Sequence, residues 1–312
     1  MTTALFSHPD CLEHTNPPGH PEQVARLRVI DKALADPAFD ALARYPAPLC
    51  EDADILLAHP AQHLAAIRAA SPDQGYRALD SDTHMSPGTL TAAFRAVGAN
   101  VAAVDAVLSG KVTNSFCAIR PPGHHAEKNR PMGFCLFGNI AIAARHALER
   151  HGLSRVAIVD FDVHHGNGTQ DLVWDDGRIL FVSTHQMPLY PGSGGADERG
   201  AHDNVVNIPL EPGTDGAGFR AAFAERALPA LTAHEPELLL ISAGFDAHRA
   251  DPLANLELTE DDFAWVTGQV CDIADAFADS RVVSTLEGGY DLDALAASVA
   301  AHVRVLMERG NG

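Results

Sequence analysis

The sequence predicts an α/β protein with a mostly parallel central sheet of about eight strands and helices on both faces. Three observations predict it. Short, nearly unbroken, β-branched runs recur along the chain, as strands covered on both faces require. Between them lie segments whose apolar residues fall three and four apart, the helical period. Several of the apolar runs lead directly into polar, glycine-rich stretches, and an open α/β sheet gathers its ligands there, beyond the carboxyl ends of its strands.

The strand candidates are TTALF, SFCAI, RVAIV, RILFV, NVVNI, ELLLIS and RVVSTL. The helix candidates run from Gln23 to Leu34, Thr89 to Leu108, Gly138 to Gly152, Thr259 to Phe277 and Asp291 to Arg309. Gly152 suits a helix end, because glycine enters the left-handed region without strain. Thr259 and Asp262 form an S/T-x-x-D start signal. Alternating strand and helix argues for one doubly wound sheet, hence a single domain over residues 1–312. The first 80 residues are less regular, with one helix among proline-rich loops.

Of the 312 residues, 46% are hydrophobic, enough for one large core. No run of about 18 apolar residues occurs, so no membrane span is expected. The start, MTTALFSHPDCLEH, has no basic stretch leading into a long apolar one, so no signal peptide is expected. Cys11, Cys50, Cys117, Cys135 and Cys271 are odd in number and lack C-x-x-C spacing. That favours free thiols in a reducing, cytoplasmic setting. The net charge of −19 repels nucleic-acid phosphates and anionic lipid and attracts cationic or lysine-rich partners. The same charge also serves solubility alone. Self-association into a homo-oligomer is left open.

Four strand ends carry chemistry. SFCAI leads into RPPGHHAE, RVAIV into DFDVHHGNG, ELLLIS into AGFDAHRADP and RVVSTL into EGGYDL. Asp160, Asp162 and His164 alternate, so an extended chain puts them on one side. An imidazole with carboxylates suits zinc, and catalytic zinc keeps three protein ligands and an open position. Asp251 is the candidate third ligand. On spacing alone, aspartates capping the next helix would look the same. His124 and His125 follow an apolar strand and the stiff Pro121-Pro122-Gly123 turn, which favours a functional pair over a surface one. His146, His151, His234 and His302 lie in helical stretches and read as solvated or packed.

Taken in order, HPEQVARL, DSDTHMSPGT, RPPGHHA, MGFC, DFDVHHGNGTQ, STHQ, AGFDAHRADPL and EGGYDL resemble the zinc-dependent histone deacetylase family, from about His8 to Tyr290. The resemblance implies the arginase/deacetylase fold and zinc on Asp162, His164 and Asp251. It implies paired active-site histidines at His124 and His125, with Asp160 behind the first and Asn167 behind the second. Asparagine at that position looks class II-like, the group of bacterial amidohydrolase and acetylpolyamine relatives. Tyr290 matches the transition-state tyrosine. A structural potassium ion is implied on Asp160, Ser183 and Thr184, with Asp162 and His164 contributing backbone carbonyls.

The implied reaction removes an acetyl group from an amine, with His125 as general base and later acid, and Tyr290 hydrogen-bonding the oxyanion. The resemblance also implies a channel for an acyl-lysine stem, walled by Phe134 and Tyr190, with the Gly133 carbonyl accepting the substrate N–H. Leu258, counted on from Asp251, falls where polyamine-preferring relatives place a gating glutamate. An apolar residue there leans toward acetyl-lysine peptide or protein over acetylpolyamine. The metal could be zinc or iron(II). Two other readings stand beside this one. A dimanganese ureohydrolase on the same fold needs more bridging carboxylates than these motifs supply. A non-catalytic acyl-lysine binder would be expected to lack the tyrosine or a ligand.

Overall fold

All seven apolar runs form strands, because none has a polar face to offer solvent. The computed structural model describes residues 2–310. In chain order the strands are β1 (Thr3–Ser7), β2 (Ala43–Pro46), β3 (Arg77–Ala78), β4 (His84–Met85) and β5 (Asn114–Cys117). They continue as β6 (Val156–Asp160), β7 (Ile179–Gln186), β8 (Val205–Leu210), β9 (Leu238–Ala243) and β10 (Val282–Leu286). Eight form one sheet in the order β2-β1-β5-β10-β9-β6-β7-β8, and every neighbouring pair is parallel. β3 and β4 make a separate antiparallel pair. The β5, β6, β7, β9 and β10 strands are buried at every position, as helices on both faces of a parallel sheet demand. The edge strand β2, ARYP, alternates between partly buried and exposed, and no apolar run announced it.

The five expected helices form within two residues of their expected ends. Thr259 and Asp262 cap each other's backbone at the start of the helix Glu260–Phe277. Gly152, at φ 71°, closes the helix Asn139–His151. The helix Thr89–Leu108 is long and apolar enough to cross a bilayer, yet it is mostly buried and packs on β1, β5 and β10. All five cysteines are free and buried.

The topology decides where the motifs meet. Parallel strands send their carboxyl ends to one edge of the sheet. β5, β10, β9 and β6 are four consecutive strands at its centre. RPPGHH, EGGYD, AGFDAHRAD and DFDVHHG therefore lie side by side, although residues 120 to 290 separate the first from the last.

Candidate active site

Asp162 and His164 follow β6, and Asp246 follows β9. Their ligating atoms lie within 4.8 Å of one another, and all three residues are buried. His164 Nδ1 is 3.1 Å from both Asp162 Oδ1 and Asp246 Oδ2. Backbone donors fix both carboxylates. Gly288 N donates to Asp162 Oδ2 at 2.8 Å, and Val163 N donates to Asp246 Oδ1 at 2.9 Å. Gly244 and Gly288 complete the cradle: a Cβ at Gly244 would drive into the Asp162 carboxylate, and one at Gly288 into those of Asp162 and Asp246.

The electrostatics ask for positive charge at this point. Burial, then Asp162, pushes the Asp246 carboxyl above its usual range. Burial opposes charge on Asp162 too, but His124 and His164 hold its pKa well down. Burial would lower His164, yet the two aspartates raise it to about 10. A divalent cation can replace the proton that His164 takes up here. Two carboxylates and an imidazole fit zinc or a similar ion.

Asp251, the expected third ligand, lies five residues further along the same loop, and burial and then the nearby Asp246 carboxylate raise its pKa to about 7. Its Oδ2 accepts from Tyr290 N at 2.7 Å and its Oδ1 from Leu253 N at 3.0 Å. Both contacts fix its carboxylate against the tyrosine loop. Asp160 stands beside Ser242 across β6 and β9, so Asp162 and Asp246 both lie just beyond one line across the sheet.

The histidine pair is oriented as expected. His124 Nδ1 lies 3.0 Å from Asp160 Oδ2, and His125 Nδ1 lies 2.7 Å from Asn167 Oδ1. Asn167 donates its Nδ2 to Glu127 Oε1 at 2.8 Å, so its oxygen faces His125. That oxygen only accepts, so Nδ1 of His125 carries the hydrogen and Nε2 keeps a free lone pair. Burial, then His124 and His164, hold the His125 pKa well below its ordinary value. Burial opposes protonation of His124 as well, but Asp162, Asp160 and Glu287 outweigh it and hold its pKa well above normal.

Glu287 went unnoticed in the sequence. Its buried carboxylate accepts from Gly123 N at 2.7 Å, His124 N at 3.2 Å and Ser242 Oγ at 3.1 Å, so it joins the ends of β10, β5 and β9. Behind it, fully buried Glu22 binds Arg120 and Arg26, and Arg26 Nε donates to Gly289 O at 2.6 Å. The Arg26 guanidinium also lies over the Tyr290 ring, 5.0 Å from its centre.

A cavity of about 260 Å³ opens onto these groups. His125, His164 and Tyr290 line it together with Gly133 and apolar Phe134, Leu189, Tyr190 and Leu253. Tyr190 and Leu253 are exposed at 39% and 36%, whereas His125 and His164 are buried, so the former mark its mouth. Asp82 lines it too. Gly133 has φ 55°, and a Cβ there would drive into the His125 ring. Phe134 also sits at positive φ, 69°, strain that a non-glycine residue keeps only where its surroundings hold it. Burial, the largest influence, keeps the Tyr290 phenol well above its ordinary pKa, hence protonated.

A clasp that the sequence did not reveal holds this wall. Gly138 N donates to His59 Nε2 at 2.9 Å, which leaves His59 Nδ1 to donate to Lys128 O at 3.2 Å. His59 stacks on His63, whose Nε2 donates to Leu136 O. One imidazole thus bridges both ends of the loop carrying Gly133 and Phe134.

Leu258 does not stand where it was expected. It is fully buried, and its N–H and carbonyl bond to Ala247 and Arg249, so it does not line the cavity. Leu253 does. For the expected potassium site, Asp160 pairs with Ser183 across β6 and β7, and Thr184 Oγ1 lies 3.5 Å from Asp160 O. Among the described residues no second buried set of ligands converges beside the first, as a dimetal centre would need.

The comparisons agree with this geometry. The histone deacetylase domain matches residues 20–306. The Synechocystis sp. protein slr0245 is 44% identical over 308 residues, covering 97% of this chain and 99% of its own. The histone deacetylase-like amidohydrolase of Pseudomonas aeruginosa is 40% identical over 278 residues, 87% of this chain and 73% of that one. The crystal structure of the HDA15 HD domain superposes with a TM-score of 0.93 at 33% identity, covering 99% of this chain and 90% of that one. A domain match over most of the chain, relatives of this identity and a shared architecture lead to one conclusion: the chain belongs to the histone deacetylase family.

Proposed function

We propose that the protein is a zinc-dependent deacetylase that hydrolyses the amide between an acetyl group and an amine, with the ε-amine of lysine as the preferred class. Family membership supports amide hydrolysis. The observation that carries the finer reading is the meeting of His125, His164 and Tyr290 around one cavity, with Asp162 and Asp246 converging on His164 behind it.

An amide carbonyl is a poor electrophile and neutral water a poor nucleophile. A divalent cation held by Asp162, His164 and Asp251, with the Asp246 carboxylate beside them, would polarise the one and acidify the other. His125 is neutral, with a free Nε2, so it is ready to take the water's proton. Its low pKa then makes the protonated ring a strong acid toward the leaving amine. His124, held protonated, orients the water by hydrogen bonding. Tyr290 keeps its proton and donates to the developing oxyanion. The Gly133 carbonyl accepts the substrate N–H, and Phe134 and Tyr190 flank the methylene stem. Potassium would take oxygens from Asp160, Asp162, His164, Ser183 and Thr184. The net charge of −19 favours lysine-rich substrates over nucleic acid, and five buried thiols suit a cytoplasmic setting.

Apolar Leu253 at the mouth offers no partner for a distant ammonium, which favours acetyl-lysine. One observation favours the alternative, an acetylpolyamine substrate: the Asp82 carboxylate lines the same cavity. Turnover of an acetyl-lysine peptide against acetylated diamines, with zinc content measured on the same sample, tests both. A zinc-loaded protein that hydrolyses neither overturns the proposal.

A further inference from the structure

A second convergence of ligating side chains lies on elements that contribute nothing to the cavity. Asp105 sits in the last turn of the helix Thr89–Leu108. His146 and His151 belong to the end of the helix Asn139–His151, which packs against it. Nε2 of His146 and Nε2 of His151 are each 2.7 Å from the same atom, Asp105 Oδ1. The three ligating atoms fall within 4.8 Å of one another. The two rings are inclined at 67° with centres 5.4 Å apart, so they reach that point from different directions.

His146 is the informative member. Its side chain is only 9% exposed, and its Nδ1 has no partner among the described residues. Every polar contact that justifies burying this ring is made through Nε2, the atom aimed at the convergence point. Asp105 keeps 52% of its side chain exposed, so solvent can complete a coordination shell. Both helices end here, at Leu108 and His151. Their terminal carbonyls carry partial negative charge, which favours a cation.

We propose that Asp105, His146 and His151 form a surface site for a late first-row divalent ion of the zinc or nickel class. Two imidazole nitrogens and one carboxylate oxygen select such ions over magnesium or calcium, which prefer all-oxygen shells. The bound ion cross-links the two helices. The helix Asn139–His151 starts directly beyond the His59 clasp, and Asn139 Nδ2 donates to Pro121 O at 3.3 Å. The ion is therefore a staple at the far end of a helix whose near end touches the catalytic loops.

The test is a Zn²⁺ titration of the metal-stripped full chain, read by calorimetry and elemental analysis. The parent should take two equivalents. His151→Gln and Asp105→Asn should each take one. Asp162→Asn, in the buried site, should also take one, and its thermal midpoint should still rise with Zn²⁺. That rise should vanish when His151→Gln is added. His202→Gln, at an exposed histidine outside both sites, should keep two. A parent that binds one equivalent, or a His151→Gln variant that still binds two, overturns the site. So does a His202→Gln variant that loses one. These readouts do not depend on turnover, so an inactive protein that binds two equivalents sinks the deacetylase reading and leaves this one standing.

Discussion

Asp162, His164 and Asp246 meet inside the protein, at 8% exposure or less. Asp105, His146 and His151 meet at its surface, where Asp105 keeps about half its side chain in water. The residue types are the same and the support is not. Each buried carboxylate receives backbone N–H groups from neighbouring loops, and two glycines leave room for nothing else. The surface set rests on side chains from two helices, with no such layer behind it. The buried set has two carboxylates in a poorly solvated place, and charge there is tolerable only when paired. The surface set can share its charge with water. The difference fits the two proposed roles, a resident ion central to chemistry at the sheet edge and an exchangeable one that affects stability at the helix ends.

The strongest way to break this contrast is to remove one carboxylate from each set. Asp162→Ala should lose both the buried equivalent of zinc and turnover, whereas Asp105→Asn should leave turnover unchanged. Asp251→Ala should lose metal first and turnover with it; elemental analysis beside the assay reads both. Next in size, Tyr290→Phe should lower turnover by roughly 100-fold with zinc content intact, because an oxyanion donor acts without ligating metal. Gly288→Ala should weaken the buried ion by roughly 10–100-fold, measured by competition with a chelating dye. Gly152→Ala, at the end of the helix carrying the surface set, meets no neighbouring atom and should cost only about 1–2 kcal/mol in urea unfolding, the strain of a left-handed residue.

A further effect concerns pH. Burial, then His63, lowers the His59 pKa to about 3. The unfolded chain takes up a proton near pH 6.5, while the folded one resists until about 3. Stability from this residue is therefore complete above pH 6.5 and lost as pH falls toward 3. Replacing His59 by Phe should flatten that slope by up to about 1.4 kcal/mol per pH unit and raise KM more than it lowers kcat. Urea midpoints between pH 4 and 7 would check the slope. An unchanged slope would mean that His59 is not the neutral clasp described.

How much of this was legible in the sequence varied residue by residue. His124, His125, Asp162, His164 and Tyr290 were readable because each follows a recognisable strand at short distance. Asp246 and Asp251 share one loop, five residues apart, and spacing did not announce that Asp246 also converges on Asp162 and His164. Leu253 was missed because the path of that loop into the cavity cannot be counted off the sequence. Glu287, Glu22, Arg26 and Arg120 gave no periodic signal: their meaning is a buried ion cluster, and Glu22 and Arg120 stand 98 residues apart. The His59 clasp likewise depends on backbone groups some 70 to 80 residues away. β2 was invisible because an edge strand needs no apolar run.

The four adjacent strand ends also set a timetable. Only Asp162 and His164 are close along the chain; Asp246 and Tyr290 come much later. A growing polypeptide cannot complete the site until β10, ending at Leu286, has taken its place between β5 and β9 and brought Gly288 N to Asp162 and Tyr290 to the cavity. Capture of the ion is then a late event that seals a finished sheet rather than one that seeds it. Refolding speed should be indifferent to zinc, and the loaded protein should instead come apart more slowly.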